Sequence, residues 1–191
     1  MDFLNKNYWD ERYLMGQTGW DIGYVSPQLK LYFDTLTDKQ LRILIPGGGN
    51  SYEAAYLLAQ GFKNVTVVDI SEVVCQRLSQ AYAAQGLTVV CSDFFEHTGS
   101  YDLIVEQTFF CAISPALRVA YLQKMTELLV ENGTLTGLLF NRSFEGGPPF
   151  GGSVDEYQAL FENAHFDVTF DLSPLSIPPR AGSEVFFRAK K

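Results

Sequence analysis

Short runs of β-branched and aliphatic residues alternate along the chain with longer stretches whose apolar positions recur every three or four residues. Leu41-Arg42-Ile43-Leu44-Ile45 has the near-continuous apolar character of a strand covered on both faces. Pro46 and Gly47 to Gly49 interrupt it, and Ser51 to Ala59 then reads as a helix. Asn64 to Ile70 is a second β-rich run. Ser71-Glu72 opens a helix through Val73, Val74, Leu78 and Tyr82, with Gly86 as its C-cap. Leu87 to Cys91 and Tyr101 to Glu106 read as the third and fourth strands. Pro115 to Val130 is an amphipathic helix with Leu117, Tyr121, Leu122, Met125, Leu128 and Leu129 on one broad face. After an Asn132-Gly133 turn, Thr134 to Phe140 is the fifth strand. Ser153 with Glu156 three residues later is a capping box that opens a helix through Tyr157, Leu160 and Phe161. Phe166 to Leu172 and Glu184 to Arg188 read as an antiparallel pair.

Strands alternating with helices predict an α/β fold. The expected architecture is a Rossmann-like, doubly wound, mostly parallel seven-stranded sheet with an antiparallel C-terminal strand and an N-terminal helical lid. Residues 1–35 are the arm or lid, in which Ser26 caps a helix with Pro27 in its first position, running to about Leu36. Residues 41–191 are the core. No repeat, linker or low-complexity tract divides the chain, so 1–191 reads as one domain.

The Gly-rich turn carries the first chemical signal. Glycine permits positive φ and lets a ligand approach where a Cβ would block it, and the following helix N-terminus offers free N–H groups. Asp69 ends the second strand twenty positions after Gly49, placed to accept from ribose hydroxyls. Together these point to an adenosine-bearing ligand. A dinucleotide fold carries a third glycine beside the pyrophosphate, and Tyr52 stands there instead. That disfavours NAD and FAD and suits S-adenosylmethionine (SAM), which has no phosphate. At the end of the third strand, Asp93 is placed to accept from an adenine amino group and Phe94 to stack on the ring; the alternative is a strand-ending Asx turn.

Composition narrows the classes. The 191 residues are 47% hydrophobic and 14% aromatic, with a formal net charge of −8. An acidic chain is a poor partner for nucleic acid or an anionic membrane, and no apolar run reaches the length of a membrane span. Met1-Asp2-Phe3-Leu4-Asn5-Lys6 lacks a signal-peptide pattern. Cys75, Cys91 and Cys111 are odd in number and widely spaced, which suggests a reducing compartment, with the cytosol as default. With two histidines, His97 and His165, no metal site is expected.

The loop after the fourth strand, Gln107-Thr108-Phe109-Phe110-Cys111-Ala112-Ile113, lies where this architecture carries function. Phe109 and Phe110 are candidate walls of a dry substrate pocket, with Glu106 and Gln107 its nearest polar groups. Arg118 either reaches that pocket or is a surface cation. Cys111 has no histidine near it in sequence and reads as a small buried residue rather than a nucleophile. Trp9 and Trp20 either pack the arm onto the sheet or line a lid, where aromatic faces attract a sulfonium by roughly 0.5–2 kcal/mol.

With those residues in view, the chain resembles the thiopurine S-methyltransferase superfamily, most of all its thiol/halide methyltransferase branch. The resemblance covers nearly the whole chain. It rests on Trp9-x-x-Arg12-Tyr13-x-x-Gly16-x-Thr18-Gly19-Trp20-Asp21-x-Gly23 with Ser26-Pro27, on Ile45-Pro46-Gly47-Gly48-Gly49, and on Val68-Asp69-Ile70-Ser71. Thr108 to Ile113, Arg118 with Tyr121, and Gly147-Pro148-Pro149-Phe150 also fit. It implies SAM-dependent methyl transfer to a small soft nucleophile, with S-adenosylhomocysteine as product. By the same analogy Trp9 and Trp20 contact SAM, Gly47 and Gly49 approach its methionine part, Asp69 the ribose, and Ser92, Asp93 and Phe94 the adenine, with Gly48, Ile70 and Glu106 as further cofactor-site candidates. Gly48 stands where the family usually has Cys, Ser51 replaces a common glycine, and Glu106-Gln107 replaces the Asp-Arg pair of many thiopurine-active relatives.

Methyl transfer from SAM asks chiefly for positioning and desolvation. An ordinary thiol is a few per cent ionised at neutral pH and a halide needs no base, so no catalytic residue is assigned with certainty. The expected enzyme is a monomer that takes a small-molecule acceptor. The competing classes are a non-catalytic SAM- or S-adenosylhomocysteine-binding protein and an NAD-dependent oxidoreductase, the latter disfavoured by Tyr52.

Overall fold

The computed structural model describes residues 4–191; Met1 to Phe3, part of the stretch read above for a targeting signal, lie outside the described residues. The chain forms two compact units, Met1–His97 and Thr98–Lys191.

The first unit runs α1 (Lys6–Leu14), α2 (Pro27–Asp34), β1 (Arg42–Pro46), α3 (Tyr52–Ala59), β2 (Asn64–Asp69), α4 (Glu72–Tyr82) and β3 (Thr88–Cys91). β1 pairs with β2 and β2 with β3, all parallel, with Pro46 opposite Val68 and Asp69 opposite Cys91. The carboxyl ends of the three strands therefore emerge side by side. Ile43, Leu44, Ile45, Val67 and Val68 are buried, as both-face coverage requires of parallel strands. Gly86, with φ +100, ends the helical segment after α4, as its sequence position predicts.

Three details of this unit depart from the sequence pattern. α1 has no apolar stripe to announce it; the Asn5 side chain caps it by accepting from Tyr8 N at 3.1 Å. Asp10 then docks it on α4, accepting from Ser71 Oγ at 2.6 Å and Val73 N at 3.2 Å. α2 stops at Asp34 because the Thr35 and Leu36 amides turn back to the Tyr32 and Phe33 carbonyls in a tighter final turn. Ser26 precedes α2 but its hydroxyl does not cap it; its amide donates to Glu53 Oε1 at 3.0 Å.

The second unit holds β4 (Tyr101–Gln107), α5 (Arg118–Leu128), β5 (Leu129–Phe140), α6 (Val154–Asn163), β6 (Asp167–Asp171) and β7 (Glu184–Lys190). β4 and β5 are parallel, and β7 is antiparallel to both β5 and β6. Tyr121, Tyr157, Phe110, Phe161 and Phe187 fill its core. The helix expected over Pro115 to Val130 is divided: Pro115–Leu117 is a 3-10 turn, α5 ends at Leu128, and Leu129 already pairs with Tyr101 as strand. Asn132, at φ +61, and Gly133 form a kink inside β5, where the register to β4 shifts. Ser153 caps α6 as predicted, accepting from Glu156 N at 3.3 Å. All seven strands join one sheet in the order β3-β2-β1-β4-β5-β7-β6. This is the mostly parallel sheet with an antiparallel C-terminal strand that the sequence predicts.

Candidate functional site

The carboxyl ends of β1, β2 and β3 converge on Asp69. Its Oδ2 accepts from Gly49 N at 2.9 Å and its Oδ1 from Ser71 N at 2.9 Å. Its carbonyl receives Ser92 N at 3.1 Å, which draws the third strand's exit to the same point. Burial pushes the Asp69 carboxyl up, and the Ser71 and Gly49 donors pull it back. The Gly-rich turn is wound to suit: Gly47, Gly49 and Ser51 all have positive φ, at +55, +54 and +47. A Cβ at Gly49 would lie 2.6 Å from Tyr13 Oη, so both backbone and space favour glycine there. Gly49→Ala is expected to cost about 1–3 kcal/mol in urea unfolding, because strain and the Tyr13 clash act together.

The arm closes over this turn through polar ties. Asp21 accepts from Asn50 Nδ2 in the turn and from Tyr52 Oη at 3.3 Å at the head of α3. Between the ties to Asp10 and Asp21 lies an aromatic cluster. Trp20 meets Trp9 edge-on at 5.6 Å and Tyr13 at 5.8 Å between centroids. Both tryptophans are half-buried, and burial, followed by the Asp69 charge, pushes the Tyr13 phenol up. Tyr13 is a site residue that the ligand reading did not single out, although it stands in the N-terminal Trp9-to-Gly23 signature.

Two hydroxyls in this unit are buried and have no hydrogen-bond partner: Ser51 Oγ at the turn and Ser92 Oγ at the end of β3. Buried polar atoms are normally paired, and these two unpartnered hydroxyls stand in the turns after β1 and β3. With the glycine cradle they fit the polar ends of SAM. Asp93 is exposed and caps its own turn, Oδ1 accepting from Phe95 N at 2.8 Å, so one of its two carboxylate oxygens is engaged in an Asx turn. Phe94 is buried, in edge contact with Phe95 at 5.4 Å; Phe95 is the more exposed ring. Ile70 is half-buried beside Asp69.

In the second unit the candidate acceptor residues separate into two groups. Glu106 is fully buried, its Oε1 accepting from Phe109 N and Phe110 N at 2.8 and 2.9 Å, and its Oε2 from Tyr121 Oη at 2.6 Å. Burial raises its carboxyl to about 7 against these bonds. Arg118 is no surface cation: Nη1 pairs with Glu156 Oε1 at 2.6 Å, Nη2 donates to the Gly151 carbonyl at 2.7 Å, and the guanidinium lies 4.8 Å from the Phe110 ring centroid. Phe110 itself packs edge-on to Tyr121 and Tyr157. Glu106, Phe110 and Arg118 thus form the frame under the loop. Gln107 and Phe109 are half-buried, Phe109 lying 6.0 Å from the Tyr121 ring between centroids, and Gln107 Oε1 has no hydrogen-bond partner. Burial first, then the Glu106 charge, pushes the Cys111 thiol up to about 12, in keeping with a buried structural residue. No metal-binding cluster occurs among the described residues.

A family profile described as Thiopurine S-methyltransferase (TPMT) matches residues 4–176. The chain is 32% identical to Probable thiol methyltransferase 2 of Arabidopsis thaliana over 96% of this chain and 84% of that protein. It is 31% identical to Thiocyanate methyltransferase 1 of Brassica oleracea over the same shares. The solved structure of 1,6-didemethyltoxoflavin-N1-methyltransferase from Burkholderia thailandensis, with S-adenosylhomocysteine bound, superposes with a TM-score of 0.74 at 22% identity. That superposition covers 97% of this chain and 86% of the other.

Proposed function

The chain belongs to the thiopurine S-methyltransferase family, whose members are SAM-dependent methyltransferases, and from that premise we propose that it methylates a small thiol, hydrosulfide or halide. The observation that carries the cofactor assignment is the Asp69 hub, with the orphaned Ser51 and Ser92 hydroxyls around the glycine turn. SAM, when bound, supplies a methyl carbon on a cationic sulfur. Asp69 would hold the ribose hydroxyls, Ser51 and the α3 N-terminus the methionine end, and Ser92 and Asp93 the adenine. Trp9 and Trp20 would offer aromatic faces to the sulfonium and keep water out.

Phe109 and Gln107 meet the acceptor. An apolar wall strips water from an incoming soft nucleophile, and fixed geometry turns a bimolecular step into a positioned one. Glu106 is committed to the loop that carries them, and the buried Cys111 thiol donates to the Thr108 carbonyl at 3.3 Å, so neither is presented to the acceptor as base or nucleophile. A small thiol with an ordinary pKa provides its own thiolate fraction. The same reading takes 1–191 as one catalytic domain, a monomer in the cytosol. Its net charge of −8 keeps it off nucleic acid and anionic surfaces.

Calorimetric titration with S-adenosylhomocysteine, followed by methyl-transfer assays on hydrosulfide, iodide and an aromatic thiol, tests the proposal. Micromolar binding with turnover supports it and ranks the acceptors. Binding with no turnover on any of the three rejects the acceptor class and leaves a SAM-binding protein; no binding rejects the site. Trp20→Ala is expected to weaken S-adenosylhomocysteine by about tenfold, the loss of roughly one desolvated aromatic contact. Unchanged affinity would remove the arm from the site.

A further inference from the structure

The three cysteines are far apart in sequence, yet the fold brings two of them together. Cys91 is the last residue of β3 and lies opposite Asp69 in the parallel pairing. Cys75, on the first turns of α4, donates its thiol to the Asp69 carbonyl at 3.4 Å. Asp69 thus has Cys75 on its carbonyl and Cys91 beside it on the neighbouring strand. Both line a single surface groove with Glu72, Gln76, Ser79, Gln80 and Val89. Cys91 is exposed and Cys75 is buried behind it.

We propose that Cys75 and Cys91 form a reversible disulfide site that closes by exchange with small organic disulfides. The Cys91 thiolate attacks one sulfur of the disulfide RSSR, giving a mixed disulfide and releasing RS⁻, which takes up the proton Cys91 gave up. Cys75 then attacks Cys91 Sγ and expels the second RS⁻, which takes the Cys75 proton. The protein dithiol is oxidised by two electrons, and RSSR is reduced to two RSH. Exposure gives Cys91 the first encounter, and burial beside it makes Cys75 the resolving thiol.

The surroundings slow the Cys75 attack, because little of this thiol is ionised, and favour the closed form once it is made. Burial first, then Cys91 itself, then the carboxylates of Asp69 and Asp10 push the Cys75 thiol up. Strongly oxidising protein disulfides owe their readiness to open to a stabilised thiolate in the reduced form. Cys75 has none, so nothing electrostatic holds this pair open. Closure ties the end of β3 to α4, directly before Ser92 and Asp93. The inference is independent of the proposed methyl transfer, because mass alone reads it.

The test is to incubate the native 191-residue chain with 2-hydroxyethyl disulfide, block residual thiols by alkylation, and record intact mass and peptide map. The wild-type chain is expected to lose two hydrogens and yield a Cys75–Cys91 cross-linked peptide, with dithiothreitol restoring the starting mass. Cys75→Ser is expected to stop at a stable mixed disulfide on Cys91, and Cys91→Ser to take up nothing. A wild-type chain that keeps the adduct on Cys91 without closing, cross-links through Cys111, or does not react overturns the proposal. The wild-type map decides this even if a variant fails to fold.

Discussion

Asp69→Ala is expected to weaken S-adenosylhomocysteine binding by about tenfold to a hundredfold and to destabilise the empty chain as well. The ligand term follows from losing a charge-assisted hydrogen bond to the ribose, about 1.5–3 kcal/mol. The stability term follows from the native bonds: Gly49 N and Ser71 N both end on this carboxylate in a buried setting. Orphaning a buried donor costs about 1–3 kcal/mol, so loss of both should be plain in urea unfolding. Asp69→Asn sharpens the test. An amide keeps one acceptor oxygen but turns an NH2 toward the other backbone donor, so it repairs half the hub at most. Calorimetry on both variants, alongside unfolding of both, separates the contributions. Native-like affinity in Asp69→Ala would mean that the ligand does not use this residue.

Glu106→Gln is expected to change how stability depends on pH. In the folded chain burial holds the Glu106 proton up to about 7, against an ordinary value of 4.5. The folded state therefore binds more protons than the unfolded one across that window. The stability this group contributes is complete below about pH 4.5 and is lost as pH rises through about 7. The rise corresponds to about 3 kcal/mol in all. Glutamine does not titrate, so wild type should lose about 2–3 kcal/mol relative to the variant between about pH 5 and about pH 8. Urea unfolding of both proteins at several pH values checks it; parallel curves would show that the buried carboxyl does not titrate in this range. The consequence for function follows from the same bonds. Glu106 receives the Phe109 and Phe110 amides and the Tyr121 hydroxyl, so its charge state governs how firmly the loop bearing Gln107 and Phe109 is held.

The loop after β4 shows where sequence stops being informative. Glu106, Gln107, Phe109, Phe110 and Arg118 stand together in a pattern that says only that a strand end carries polar and aromatic residues. Which of them point inward depends on α5 and α6, whose Tyr121, Tyr157 and Glu156 pair with them from positions many residues away. Arg118 has the same local sequence whether it is solvated or 3% exposed; the partner that buries it decides. α1 is a similar case, since a polar helix without an apolar stripe is made by its cap and by Asp10 on α4 rather than by its own periodicity.

By itself the sequence determined the order and type of the core elements, the glycine turn after β1, the acid at the end of β2, and the antiparallel last strand. These are local signals: periods of two and of 3.6 residues, and glycines where the backbone turns left-handed. Tertiary structure alone decided that Asp69 gathers three strand ends, that Glu106 and Arg118 are internal supports, that α5 yields to strand at Leu129, and that Cys75 meets Cys91. Burial and pairing across many residues depend on which surfaces pack together. A residue's own neighbours in the chain carry no record of that choice.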